Sequence, residues 1–341
     1  FCTVLSSGTA ALHLAALALD WKKDDVIITT PMTFLATSNC ILYCGATPVF
    51  VDIENKYYTI DVDKLEQKIK FFEKKKKSIT GIIATDYAGH PCDWKSLRKI
   101  ANHYGIKLIN DNCHALGAQL DNDTGYATKY ADIVTHSYHP VKAITTGEGG
   151  AILTNNKKIF SKIQMLRSHG TTKNGKLMLR NDGPWYYEMQ ELGYNYRITD
   201  IQCALGISQL KKIDKFIKRR REIAKIYDMN FSNNIDFSIP TVEKKNRHAY
   251  HLYPLQINFN KLGISKKLLF QKMKNKKINL QVHYIPIHLH PYYKKRYNFK
   301  LGDFPVAEQF YRKVVSLPIY FSIKKSQIFK IIKFVKKFCH T

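Results

Sequence analysis

The chain has 341 residues, with 54 lysines and arginines against 27 aspartates and glutamates, a net charge of +27. Apolar residues make up 45%, enough for one large and one smaller core, which excludes a disordered chain or a disulfide-stapled miniprotein. No uninterrupted apolar run is long enough to span a bilayer, so no membrane partner is expected. The basic residues fall in scattered runs (74–77, 211–221 and the last helix) without interleaved aromatics. That pattern reads as a lysine-rich bias, with no nucleic-acid partner. Seven cysteines at irregular spacing read as the reduced thiols of a cytoplasmic protein. Cys40 and Cys44 lack a partner pair, and His283, His288 and His290 match no standard ligand spacing, so no metal is expected. The chain opens at Phe1 inside an apolar run, which reads as a fragment lacking an N-terminal segment, and such a fragment is expected to be inactive alone if that segment holds substrate contacts.

In chain order, a first strand over residues 1–5 runs into Ser6-Ser7-Gly8-Thr9-Ala10 and an apolar helix over 11–19. Small residues at a helix N-terminus make a phosphate cup or an ordinary capped helix, and both readings stand. A buried strand over 25–30 precedes a helix over 35–44 closed by Gly45, then a strand over 48–52 and a helix over 61–72. Strand 81–85, helix 93–104 and strand 106–110 follow. Such alternation predicts a mostly parallel sheet covered on both faces, with ligands beyond the carboxyl ends of its strands. Phe34, Asp86, Asp111 and the segment 137–142 all fall just past predicted strand ends. Phe34 is a ring-stacking aromatic or a core residue. Asp111 is a partner for a protonated ring nitrogen or a helix cap, with His114 within reach of the same ligand.

Strands over 131–134 and 151–154 enclose a polar stretch holding Ser137, His139, a single lysine, Lys142, and several glycines. A partly desolvated amine there favours the neutral, nucleophilic form, and a hydroxyl five residues earlier suits an anion. The plain alternative is a surface loop with one more lysine. Beyond residue 155 come a helix over 157–167, a polar stretch over 168–183 and an apolar helix over 200–210. From 213 onward a lysine-rich helix, short strands over 251–257 and 280–284, and closing helices predict a smaller α+β domain. The domains are therefore set at 1–212 and 213–341.

Taken together, these stretches are similar to the sugar aminotransferases of the DegT/DnrJ/EryC1/StrS family. The matches are Ser6-Ser-Gly-Thr-Ala-Ala-Leu12, Thr30-Pro-Met-Thr-Phe-Leu-Ala-Thr-Ser-Asn39, Asp86-Tyr-Ala-Gly-His-Pro-Cys-Asp93, Asp111-Asn-Cys-His-Ala-Leu-Gly-Ala118, the run 137–150, Arg167-Ser-His-Gly170 and Gly193-Tyr-Asn-Tyr-Arg197, in family order. The resemblance implies the aspartate-aminotransferase fold (fold type I) and a pyridoxal 5′-phosphate (PLP) cofactor. It implies that Lys142 bears the cofactor and acts as base, and that Asp111 partners the ring nitrogen. Phe34 would stack on the ring and His114 would neighbour its hydroxyl. Gly8, Thr9, Ala10 and Ser137 would cup the phosphate, with Gly8 and Ser137 also near substrate. Asn195 would enter the site of the other subunit of a homodimer, touching cofactor and substrate there. Gln281-Val282-His283-Tyr284 with Leu252-Tyr-Pro254 most resemble the family branch that aminates a UDP-linked 4-keto-6-deoxy-N-acetylhexosamine for pseudaminic acid, with glutamate as donor. Those four residues, 281–284, would contact substrate.

Overall fold

The computed structural model describes residues 1–339. The first half alternates β1 (Cys2–Leu5), α1 (Gly8–Ala18), β2 (Val26–Thr29), α2 (Leu35–Tyr43), β3 (Thr47–Phe50), α3 (Val62–Lys74), β4 (Gly81–Thr85), α4 (Trp94–Tyr104) and β5 (Lys107–Asp111). The short α5 (Tyr126–Tyr130), then β6 (Ile133–Ser137), β7 (Gly150–Leu153) and α6 (Lys157–Leu166), complete the layer. The strands form one seven-stranded sheet in the order β3-β2-β4-β5-β6-β7-β1. All neighbours are parallel except β7, which runs antiparallel to both β6 and β1.

The sheet is covered on both faces because consecutive strand residues point to opposite sides and here both are apolar. Ile27, Ile83, Ile109 and Ile133 pack under α1, α2 and α6. Their chain neighbours Ile28, Ile82, Leu108 and Val134 pack under α3, α4 and α5. Helix ends follow local rules. Asp61 caps α3 through the Lys64 N–H, Asp93 caps α4 through Ser96, and Gly105 closes α4 at φ +67°.

A hairpin of β8 (Thr171–Thr172) and β9 (Glu188–Met189) leads to α7 (Asp200–Leu210) and α8 (Ile213–Phe231). The last third adds β10 (Phe237–Ser238), β11 (Tyr253–Ile257), α9 (Lys266–Asn275), α10 (Pro291–Tyr297), α11 (Pro305–Lys313), β12 (Val314–Leu317) and α12 (Lys325–Cys339). Strands β10, β11 and β12 form an antiparallel sheet whose core is shared with α8, α9 and α12. A mixed apolar seam joins the two sheets, with Met32, Phe50 and Tyr87 packed among Leu252, Tyr293 and Phe310. Arg220 of α8 pins this seam by donating to the carbonyls of Tyr250, His251 and Ile319.

Three expectations change. Residues 280–284 form no strand; only the Gln281–Ser316 bridge links them to a ladder. The sheet position falls instead to the fully buried Val314–Leu317, while 282–284 turn toward Met32 and Phe34, with the Tyr284 N–H donating to the Met32 Sδ. The polar stretch 168–183 is not featureless, because Thr171 and Thr172 pair with Met189 and Glu188. Asp111 is the last residue of β5 and no helix follows until Tyr126, so the helix-cap reading of Asp111 does not hold.

Candidate active site

Topology places Lys142. Because β6 and β7 are antiparallel neighbours, the chain between them turns back at the carboxyl end of β6 instead of crossing the sheet. The turn is pinned by the Tyr138 N–H to the Gly149 carbonyl (2.8 Å), the Thr146 N–H to the Tyr138 carbonyl (3.0 Å) and the Lys142 N–H to the His139 carbonyl (2.9 Å). Strand β1 also ends here, since Leu5 and Ser137 both face Gly150. The approach is so close that a Cβ on Gly8 would lie 2.7 Å from the Ser137 Cβ, and one on Gly150 2.4 Å from the Ser7 carbonyl oxygen. Only glycine fits at either place.

A cavity of about 460 Å³ opens at this point, lined by Gly8, Thr9, Phe34, Asp111, His114, Ser137, Lys142, His283 and Tyr284 among others. The residues expected at one site thus meet although they come from strand ends far apart in the chain. At its floor the Asp111 carboxylate, 4% exposed, accepts the Thr37 hydroxyl at 2.6 Å and the Cys113 N–H at 3.3 Å. Phe34 stands at the rim, 53% exposed, 5.8 Å from the Tyr284 ring. At the other end Ser7 caps α1 by accepting the Ala10 N–H at 3.0 Å. The Gly8 and Thr9 N–H groups of the same turn have no backbone acceptor among the described residues. The capped-helix reading of this turn holds, two of its N–H groups stay open to an acceptor, and Ala10, 4% exposed and already bonded, stands outside the cavity wall.

Burial lowers the Lys142 ammonium below its ordinary range, outweighing the nearby Cys113 and Asp111, which raise it. Burial, followed by Lys142 and His283, holds His114 well below its usual value, so its ring is neutral. Its tautomer follows from its partners. The Ala88 N–H can only donate to Nδ1 (3.3 Å), so the proton sits on Nε2 and is given to the Tyr284 oxygen at 2.9 Å. The Tyr284 phenol proton is left for another acceptor. His283 is pushed down to about 4, first by burial and then by Lys142. Its ring Nδ1 lies 2.9 Å from the Ser316 hydroxyl, and its carbonyl accepts the Tyr87 hydroxyl.

Besides Ala10, three expected site residues lie outside this cavity. Gln281 lines a second cavity of about 610 Å³ that shares Val141, Lys142, His251 and His283 with the first. Val282 packs into the apolar seam. Asn195 is exposed and paired with Ser168, outside both cavities of its own chain. Conversely, His251 was not expected. Its ring lies 4.3 Å from that of His114, tilted by 42°, in the wall between the cavities. A histidine opening a predicted strand carries no signal of that neighbour. Thr33, Thr37 and Thr85 were also missed, although the four-residue spacing of Thr33 and Thr37 places them one turn apart. Among the described residues no group of three or more histidines, cysteines and carboxylates is arranged to hold a metal. No described helix is long and apolar enough to cross a membrane.

The sequence model of the DegT/DnrJ/EryC1/StrS aminotransferase family matches residues 1–336. A protein of Methanocaldococcus jannaschii with no assigned function is 43% identical over 99% of this chain and 85% of its own. The UDP-4-amino-4,6-dideoxy-N-acetyl-beta-L-altrosamine transaminase of Campylobacter jejuni (serotype O:2) is 38% identical over 98% of this chain and 86% of its own. Among solved structures, Helicobacter pylori PseC, an aminotransferase involved in the biosynthesis of pseudoaminic acid, superposes with a TM-score of 0.87 at 32% identity. It covers 98% of this chain and 86% of that one. The superposition spans both sheets, so the architecture is that of the PLP aminotransferases, as the sequence resemblance implied.

Proposed function

Because this chain belongs to the DegT/DnrJ/EryC1/StrS aminotransferase family, we propose that it transfers the amino group of glutamate to a UDP-linked 4-keto-6-deoxy-N-acetylhexosamine, with PLP as cofactor. The observation that carries this reading is the pairing of a desolvated Lys142 with a buried Asp111 in one cavity.

The residues present suit PLP. A buried carboxylate at the floor, a cradle that a single added Cβ would fill, and a desolvated amine between them match the ring nitrogen, phosphate and aldehyde of that cofactor. Lys142 Nζ would hold it, Asp111 would face the ring nitrogen, Phe34 the ring and His114 the ring hydroxyl. Gly8, Thr9 and Ser137 would take the phosphate. When bound, PLP supplies a conjugated, protonated ring that accepts the electrons of a breaking C–H bond. The chain's own work is proton movement. Once glutamate has displaced it from the cofactor, the Lys142 amine would take the proton from the amino-bearing carbon of glutamate, and Asp111 would keep the ring nitrogen charged while that happens. His114 and Tyr284 stay uncharged and orient polar groups. At the keto-sugar's C4 the same moves run in reverse.

A product assay against UDP- and dTDP-linked 4-keto sugars with glutamate tests the reading. The UDP-linked N-acetylated sugar is expected to be preferred. Preference for a dTDP sugar would point to another branch of the family. No amination of any of them would leave a binding protein with this fold.

The proposed assembly is a homodimer with shared sites. Helix α7 buries none of its residues, and Ile201, Leu205, Ile207 and Leu210 are 84%, 42%, 60% and 52% exposed. The β8–β9 connection also leaves Leu179 and Trp185 uncovered. So much exposed apolar surface marks an interface. Asn195, itself exposed, would enter the partner's cavity. The prediction mixes Lys142→Ala with Asn195→Ala subunits, each inactive alone. Random exchange makes about half of the dimers mixed, each with one intact site of two, so about a quarter of normal activity returns. No recovery in demonstrated heterodimers would assign Asn195 to its own subunit. Within this reading we keep the boundary between the two domains near residue 212 and a cytoplasmic location.

A further inference from the structure

The Asp111 carboxylate is not held by the backbone alone. Its short contact is the Thr37 hydroxyl at 2.6 Å, and two more hydroxyls stand in line behind it. The Thr37 Oγ1 lies 2.9 Å from the Thr33 Oγ1, which lies 2.9 Å from the Thr85 Oγ1. All three residues are almost completely buried, at 0%, 1% and 3% exposure. They come from α2, from the turn before it and from the end of β4, where Thr85 sits opposite Asp111 in the parallel register.

Proton counting gives this chain one direction. A hydroxyl has one proton to give. A carboxylate can only accept, so Thr37 spends its proton on Asp111. Thr37 must then accept from Thr33, and Thr33 in turn from Thr85. We propose that Thr37 is a positioning residue for Asp111, and that the one-way relay Thr85–Thr33–Thr37 holds this carboxylate aimed into the cavity. Donated hydrogen bonds favour the charged form of a carboxylate, and successive hydroxyls polarise one another. A carboxylate fixed in this way is placed to accept a hydrogen bond from a protonated ring nitrogen of the ligand above it. Thr37 does not line the cavity, whereas Thr33 and Thr85 do, so its effect passes through Asp111. This inference rests on the cofactor reading above.

The test uses the whole chain loaded with PLP labelled with nitrogen-15 in the ring, with Thr37→Val and Thr37→Ser compared. Valine keeps the branched shape and loses the donor; serine keeps the donor and loses the methyl. In Thr37→Val the ring nitrogen resonance is expected to move from the pyridinium toward the pyridine position. The turnover number should fall about tenfold, the worth of one hydrogen bond to a charged group, with little change in KM for the sugar. Thr37→Ser should restore both. Thr33→Val, one bond further back, should show a smaller shift, and it carries the same test if Thr37→Val does not fold. A wild-type protein that takes up no PLP would refute the cofactor reading. Uptake in wild type with an unmoved resonance in Thr37→Val, or a serine variant as perturbed as valine, would refute the relay.

Discussion

Substituting alanine for Lys142 is expected to remove transamination, with both half-reactions slowed by at least about 10⁴-fold, the upper range for a positioned base that is also the attachment point. The variant should fold normally, because the turn around residue 142 is held by backbone bonds from Tyr138, Thr146 and Lys142 itself, none of which uses the side chain. A stability measurement separates this from simple unfolding and has a defined sign. Burial lowers the Lys142 value in the folded protein, so across the range between that lowered value and the ordinary lysine value the unfolded chain binds more protons. Wild-type stability therefore gains with rising pH over that range, and Lys142→Ala lacks this gain. At neutral pH the variant should be at least as stable as the wild type. Single-turnover measurements with glutamate, and with the keto sugar from the aminated cofactor, check the kinetic claim. Normal rates in both would end the assignment of Lys142.

Asp111→Asn carries the second large effect. The neutral amide is nearly isosteric and keeps an oxygen for the Thr37 hydroxyl, so fold and cofactor uptake should survive. It cannot balance a positive ring nitrogen, and one orientation sets its NH₂ group against the Cys113 N–H that now donates to Asp111. Proton removal from glutamate is expected to slow by about 10²–10³-fold, the usual cost of losing a preorganised charge partner. The effect should exceed that of Thr37→Val, which leaves the charge in place and alters only its support. Stopped-flow traces with α-deuterated glutamate would show an enlarged isotope effect if this step becomes limiting. An unchanged trace would mean that Asp111 serves packing alone.

Much of this protein could be read from residue order. Apolar runs located the strands of the large sheet to within two residues except at the end of β6, three residues further on, because both faces of that sheet are apolar and the signal is strong over short runs. The turn residues around Lys142 and the small residues at 6–10 marked the right ends of the right strands. The last third was harder. The segment 280–284 has the composition of a strand but serves a cavity wall, while Val314–Leu317 is continuous with a helix, so no turn signal precedes it.

What sequence by itself determined here is most of the local elements, the parallel layer and part of the cavity lining, since these depend on neighbours a few positions apart. Tertiary structure alone decided which of those residues meet. The reversal of β7 returns Lys142 to the strand ends, and the shared neighbour Gly150 brings Gly8 against Ser137. The β4–β5 register sets Thr85 behind Asp111, and the seam brings Tyr284 to His114 across 170 positions. Long-range pairings of this kind leave no local pattern, because the energy that selects them comes from burying two distant surfaces together and is absent from either stretch alone.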